Sequence, residues 1–441
     1  MGRQAENMSA SEPALRSPVI SRLLGVYPQK QEGLFMQRIK IPGGRINWHQ
    51  WRRIAQLSSL YCNGFPLHLT TRQDIELHNI RLEDIAAVHQ GLNEAGLAIF
   101  GSCGDSVRNI TVCCGCDVCA DGFDLFDIAV LVRQHLEQHE VVFNLPRKFK
   151  ISFSGCEKAC GMPFINDLGF VAQADGRFRV IGVGSLGSKP ALGIELYDDL
   201  PTKDVLPLCI AALEFFTQEG DRENRHRARF RHIRERFGEQ RFREELDSGF
   251  NRLRSKQGWP DFSLPVRGKR DVKLLFRLQP ANGNINTEEA VELADAAEPK
   301  STMLRINLEH GLEIYGKEAV ELPKGIAGYV NKPIITACPG SVTCPRGLAS
   351  CWAMADRIRN TFSDKQLSGL RIRISGCPNN CAGSAVGDIG LMGILRKKDD
   401  RKVECYRIFK GGGNGRNGRL AEETGIAAAE DVPDVIEDLI K

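Results

Sequence analysis

Residues 371–391 read RIRISGCPNNCAGSAVGDIGL, and residues 151–170 read ISFSGCEKACGMPFINDLGF. Each runs an alternating apolar strand into a Ser-Gly turn, places two cysteines three residues apart, and returns through an Asp-aliphatic-Gly strand. One such cysteine pair arises by chance. A matched strand, turn, cysteine pair and second strand in the same order does not, so the chain is internally duplicated.

Working outward, the repeat lengthens. Ile110-Thr-Val-Cys113 matches Ile335-Thr-Ala-Cys338, and Cys119 and Cys344 follow at the same spacing. Near the start, FMQRIKIPGGRINWHQWRRIAQLS (35–58) matches LFRLQPANGNINTEEAVELADAA (275–297), pairing Arg38 with Arg277, Gly44 with Gly283, Asn47 with Asn286 and Ala55 with Ala294. The Gly-rich loops FRVIGVGSLG (178–187) and YRIFKGGGNG (406–415) also correspond. Each half therefore reads as a small strand–helix–strand unit followed by a cysteine-bearing α/β unit. Between them, Asp221–Lys256 is dense in both charges and predicts one or two solvated helices laced by i,i+4 pairs. DFSLPVRGKRD (261–271) reads as the linker.

The 441 residues suffice for two or three cores, with ordinary apolar (42%) and charged (26%) content. A net charge of +4 is too mild to indicate nucleic acid. No apolar run reaches the roughly 18–20 residues of a membrane span. The N-terminus lacks the apolar core of a secretory signal, which gives a cytoplasmic protein with a partly disordered lead-in over 1–30 as the expectation.

Fifteen cysteines are many for such a protein, and most cluster. Cys338-x5-Cys344 and Cys377-x3-Cys381 supply four thiolates, and neither pair has the two-residue gap common in zinc ribbons. Turns built on Pro339, Gly340, Gly376 and Pro378 leave amide N–H groups free to donate to sulfur. The sulfur-only set with unequal loops favours a 4Fe–4S cluster over structural zinc. Cys62, Cys103, Cys209 and Cys405 read as small core residues.

CPGSVTC (338–344) followed by ISGCPNNCAGSAVGDIGL (374–391) resembles the iron–sulfur and sirohaem signature of the sulfite and nitrite reductase family. In the first half, LTTRQDIELHNI (69–80), SVRNITVC (106–113) and LPRKFKISFSGC (145–156) resemble the same family, so the likeness runs from about Gly33 to Leu420. It implies an α/β (α+β) fold: ferredoxin-like units over 31–100 and 271–330, and larger sirohaem and 4Fe–4S lobes over 101–260 and 331–441, about a pseudo-twofold axis. It implies that Cys338, Cys344, Cys377 and Cys381 hold the cluster, with Cys381 bridging to the sirohaem iron. It also implies that Arg72, Arg108, Lys148 and Lys150 form an anion pocket over the haem; the two lysines alternate and so share a face.

Nitrite reductases of this family often carry Asn at the position matching Lys150. A second cation suits a dianionic substrate, so the expected activity is six-electron reduction of sulfite to sulfide, with nitrite reduction to ammonia as the alternative. A related tetrapyrrole-pathway oxygenase and a non-catalytic iron–sulfur carrier are the remaining rivals. The second half has INLEHGLEIYGKE and SGLRIR where the first has the basic motifs, which predicts one catalytic face per chain. No G-x-G-x-x-G follows a clear strand, so electrons are expected from a ferredoxin or a reductase subunit. By the repeat, Cys113, Cys119, Cys156 and Cys160 form the ligand set of a second cluster. The run Cys113-x2-Cys116-x2-Cys119 offers an alternative that uses Cys116 with Cys156 or Cys160. The Gly-rich loops at Gly182–Gly187 and Gly411–Gly418 read either as cradles for sirohaem carboxylates or as plain turns.

Overall fold

The computed structural model describes residues 17–115, 118–119, 122–260, 262, 264 and 272–441. Residues 1–16 of the lead-in, most of the 261–271 linker and Cys116 lie outside the described residues. In the first ferredoxin-like half, β1 (Val26–Pro28) and β2 (Leu34–Ile39) are followed by β3 (Arg45–Ile46), α1 (Trp48–Tyr61), β4 (Leu67–Leu69), β5 (Ile75–Arg81) and α2 (Ile85–Glu94). α1 starts where Asn47 and Gln50 form a reciprocal capping box, and it buries Trp48, Trp51, Ile54, Ala55 and Ser58 at helical spacing. Ahead of it, Gly44 sits at φ +71, and a Cβ there would lie 2.3 Å from the Ile306 carbonyl oxygen.

In lobe 1, β6 (Thr111–Val112), α3 (Phe126–Leu136), β7 (Ile151–Ser154), β8 (Leu168–Ala172), β9 (Phe178–Gly182) and β10 (Ile194–Leu200) lead into α4 (Val205–Glu219), α5 (Arg231–Phe237) and α6 (Glu239–Arg254). The sheet order is β10-β9-β8-β7-β6; β6, β7 and β8 are parallel and the rest antiparallel. The second half repeats the plan. β11 (Lys273–Leu278), β12 (Asn284–Ile285), α7 (Thr287–Ala297), β13 (Met303–Ile306) and β14 (Leu312–Gly316) form its small unit. β15 (Ile334–Ala337), α8 (Cys351–Thr361), β16 (Arg371–Ser375), β17 (Ile389–Lys398), β18 (Arg401–Lys410), β19 (Glu422–Ala428) and α9 (Val432–Ile440) form lobe 2. Its sheet, β15-β16-β17-β18-β19, again has its first three strands parallel.

The two small units are not independent. β3 adds to the edge of the second sheet, with Ile46 opposite Leu304, and β12 adds to the first, with Ile285 opposite Leu67. The exchange is reciprocal, as a twofold relation requires. Both units share one core, in which the buried Trp51 indole donates to the Ala290 carbonyl at 2.8 Å. Units of this length bury too little surface alone, and joining them supplies the missing core.

The charged stretch between the halves also departs from its sequence reading. α5 and α6 do carry i,i+4 pairs, Arg231–Glu235 and Arg243–Glu239 among them. Yet Phe242, Leu246, Phe250 and Leu253 line one face of α6 and pack into the lobe 1 core with Phe230 and Ile233. The apolar stripe is narrow and lies hidden among the charges in the linear sequence. Cys62, Cys103, Cys209 and Cys405 are buried.

Candidate functional site

The cysteines lie beyond the carboxyl ends of the parallel strands, where open α/β sheets offer a crevice. Cys338 follows β15, and its N–H donates to the Ile374 carbonyl at 3.1 Å. Its sulfur accepts the Gly376 N–H at 3.2 Å. The Cys344 N–H donates to the Gly340 carbonyl at 3.1 Å, and Gly340 adopts φ +57. A Cβ on Gly376 would lie 2.6 Å from Gly340 Cα, so glycine lets the two cysteine turns touch.

The four thiols act on one another. Burial pushes Cys377 up to about 11, with Cys381, Cys338 and Cys344 adding to the effect. Cys381 is raised too, by the protein packed around it and by Cys338, while Lys148 and Lys150 oppose, although its side chain is exposed to solvent. Cys344 is raised by burial and by Cys381 and Cys338. Cys338 is lowered, first by the Cys351 thiol 3.8 Å away and then by the Gly376 and Gly340 amides. Gathered thiols that resist ionising together, with backbone N–H groups aimed at sulfur, fit an iron–sulfur centre, whose positive irons reverse that resistance. Among the described residues no three His, Cys, Asp or Glu side chains are arranged to hold a single metal ion.

The first-half cations come from three separate elements. Arg72 sits in the β4–β5 turn, where the Thr70 hydroxyl accepts the N–H of Arg72 at 3.2 Å and of Asp74 at 3.0 Å. Its guanidinium is buried and donates to the carbonyls of Asn109 and Ile151 and to Asn166 Oδ1 at 2.6–3.1 Å. Burial, aided by Arg108 and Arg229, brings it down to about 10. Arg108 donates to the carbonyls of Ser102 at 2.7 Å and Gly104 at 2.9 Å, while its Nε–H is buried with no acceptor among the described residues. Lys148 and Lys150 precede β7, separated by Phe149, which packs against Phe216 and Phe230. Burial and the neighbouring Arg229 and Arg108 bring Lys148 down to about 7, against the pull of Cys381. Burial, Arg72, Lys148 and Arg229 hold Lys150 well below the ordinary lysine range.

Arg229 is a fifth cation that sequence reasoning missed. It lies in the stretch read as a solvated helix, but only 9% of it is exposed. It donates to Asp167 Oδ2 at 2.7 Å, and the same oxygen accepts the Lys150 N–H at 2.8 Å. Its Nε–H is also buried without an acceptor. The available signal was Asp167 itself, a carboxylate between two strand segments, which needs a cation once buried. Five cations crowded at one face suit a ligand rich in carboxylates and a small anion beside it.

The two sets face each other. Thr71, next to Arg72, donates to the Cys381 carbonyl at 3.3 Å, and the Lys148 and Cys381 side chains feel each other's charge. The second half does not repeat this pocket. Its β13–β14 turn copies the β4–β5 turn, with Asn307 Oδ1 accepting the N–H of Glu309 at 2.9 Å and of Gly311 at 2.8 Å. Glu309 therefore stands where Arg72 stands, and it pairs with Arg371 at 2.7 Å and Arg373 at 3.6 Å. Against the burial that would raise it, those arginines and Arg416 hold the Glu309 carboxyl low. At the matching position the second half thus carries an acidic residue already paired with its own arginines, so the cation of the first-half motif has no counterpart there among the described residues. In the Gly-rich loops, Cβ atoms on Gly184 and Gly412 would lie 2.2 Å and 2.4 Å from backbone atoms of Phe164 and Val386, so both glycines serve close packing.

A family model described as the nitrite and sulphite reductase 4Fe-4S domain matches residues 103–253 and 331–441. The nitrite/sulfite reductase ferredoxin-like half domain matches residues 27–95. The ferredoxin–nitrite reductase of Synechococcus elongatus is 30% identical, covering 92% of this chain and 86% of its own length. The assimilatory ferredoxin-dependent nitrite reductase of Haloferax mediterranei is 28% identical, covering 95% and 81%. The solved structure of the Mycobacterium tuberculosis NirA protein shares the fold, with a TM-score of 0.80 at 20% identity over 99% of this chain and 89% of that one.

Proposed function

Because the chain belongs to the nitrite and sulphite reductase family, whose cofactors are sirohaem and a 4Fe–4S cluster, we propose that it reduces nitrite to ammonia with six electrons from a ferredoxin. The observation that carries this reading is the Thr71–Cys381 contact, which brings the cationic turn of one half against the cysteine loop of the other. Cys338, Cys344, Cys377 and Cys381 would hold the cluster, Cys381 from the loop that meets the cationic turn. When bound, these groups supply single electrons and the iron at which the substrate is reduced.

The chain's own residues do the rest. Arg72 is locked by four hydrogen bonds and so offers a fixed positive field. Arg108 and Arg229 add positive charge beside Lys148. Lys148, brought down to about 7, is poised to hold a proton when an anion arrives and to give it to a departing oxygen. Lys150 contributes a donor beside it.

The sequence alone favours sulfite, on the ground that Lys150 adds a second cation. Two observations shift the preference. The relatives described above are named as nitrite reductases. In addition, burial, Arg72, Lys148 and Arg229 hold Lys150 well below the ordinary lysine range, which weakens the argument from a second cation. Sulfite remains the second reading, because a dianion would charge both lysines on binding. Turnover of nitrite and sulfite by the purified holoenzyme at matched electron supply tests this. Nitrite is expected to give the larger kcat/KM, and Lys150→Asn is expected to weaken sulfite use more than nitrite use. Faster turnover of sulfite by the unaltered chain overturns the nitrite assignment.

No helix among the described residues is long and apolar enough to cross a membrane.

A further inference from the structure

The turns that bear the first-half cysteines copy those of the second half almost bond for bond. The Cys113 N–H donates to the Phe153 carbonyl at 3.1 Å, as the Cys338 N–H donates to the Ile374 carbonyl at 3.1 Å. Cys113 Sγ accepts the Gly155 N–H at 3.2 Å, as Cys338 Sγ accepts the Gly376 N–H at 3.2 Å. The Cys119 N–H reaches the Gly115 carbonyl at 2.9 Å, against 3.1 Å for Cys344 and Gly340. Within the CxxxC turns, the Ala159 N–H meets the Cys156 carbonyl at 3.1 Å, and the Asn380 N–H meets the Cys377 carbonyl at 3.1 Å. Gly161 N–H donates to Ser154 Oγ at 3.0 Å, and Ala382 N–H donates to Ser375 Oγ at 3.2 Å.

This copy is kept against a local cost. In the second half the two left-handed positions of the turn are Asn380 and Gly383, residues that tolerate positive φ. In the first half they are Ala159 at φ 52 and Met162 at φ 57, each of which resists that conformation by about 1 kcal/mol or more. Cys113 is buried, but the other three sulfurs differ from those of core cysteines. Cys119, Cys156 and Cys160 are partly exposed, whereas Cys62, Cys103, Cys209 and Cys405 are buried. The exposed Lys158 brings Nζ to 3.9 Å from Cys119 Sγ, a donor of the kind that stabilises a reduced cluster.

We propose that Cys113, Cys119, Cys156 and Cys160 hold a second 4Fe–4S cluster, related to the first by the internal repeat. Two ferric ions, two ferrous ions, four sulfides and the four thiolates balance to a dianionic centre, and the thiol protons leave to solvent. No second haem accompanies it. The pocket that would face it is closed by the Glu309–Arg371 and Glu309–Arg373 pairs and by Met162, Ile165, Leu308 and Val386 packed together. The second cluster is thus a one-electron store, filled by the same low-potential protein donor that feeds the first.

The test is iron and acid-labile sulfide analysis of the full chain, purified anaerobically and reconstituted with iron, sulfide and sirohaem. About nine irons (eight in clusters and one in sirohaem) and about eight sulfides per chain are expected, falling to about five irons and about four sulfides in Cys119→Ser/Cys160→Ser with the haem absorbance retained. About five irons and about four sulfides in the unaltered, haem-loaded chain overturns the proposal, and that count decides even if the double variant fails to fold. Undiminished iron in a folded double variant overturns it as well. Cys116→Ser is expected to leave the count unchanged; a loss of iron there transfers a ligand to Cys116 and refutes the repeat-based set.

Discussion

Lys148 carries the most testable charge in the site. An ordinary lysine titrates at 10.5, whereas Lys148 is brought down to about 7 by burial and by Arg229, Arg108 and Arg147. The difference of about 3.5, at 1.36 kcal/mol each, means that roughly 5 kcal/mol opposes charging this amine in the empty pocket. The sign of the pH dependence follows. Below pH 7 the amine is charged and assists an anion; above it the proton must be taken up on binding. In the holoenzyme, kcat/KM for nitrite should therefore fall, approaching tenfold per pH unit, as pH rises through the Lys148 pKa, with that limb below the 10.5 of an ordinary lysine. Lys148→Met should remove this alkaline limb and lower kcat/KM at pH 6.5 by about 10²–10⁴-fold, the usual worth of a positioned acid. Arg229→Gln, which keeps a donor toward Asp167 but removes a repelling charge, should move the limb to higher pH. The measurement is a steady-state pH profile with a chemical reductant at saturation. An unchanged limb in Lys148→Met, or a limb near 10.5 in the unaltered enzyme, refutes the assignment of Lys148.

Two further outcomes follow from the two halves. Cys381→Ser replaces a thiolate by a hydroxyl that does not ionise at neutral pH, so nitrite turnover should be lost and bound iron should fall by about four per chain, read by metal analysis and the visible spectrum. Glu309→Gln leaves Arg371 and Arg373 without their shared buried partner, so stability should drop by about 3–5 kcal/mol in urea unfolding. Nitrite kcat/KM should change less than twofold in that variant, since Glu309 lies in the pocket that is not used.

Much of this protein was legible in one dimension because the signals are local. Turn chemistry and strand alternation fix the CxxxC loops within a few residues, and the Asn47 and Asn286 caps each act within one helical turn. The repeat could be read because both copies kept those short-range devices. Arg72, Arg108, Lys148 and Lys150 were named from motifs, and the structure gathers Arg72, Lys148 and Lys150 around Cys381 and Arg229.

What tertiary structure alone decided are quantities summed over distant elements. Arg229 joins the pocket because Asp167, sixty-two positions earlier, is buried and needs a cation. Lys150 is held well below the ordinary lysine range because burial is joined by Arg72, Lys148 and Arg229 converging on it. Glu309 takes the place of Arg72 in the second half and pairs with arginines that are remote along the chain. β3 and β12 change sheets because neither small unit can close its own core. Desolvation and charge coupling depend on which side chains share a space, and that is set only when the chain is folded.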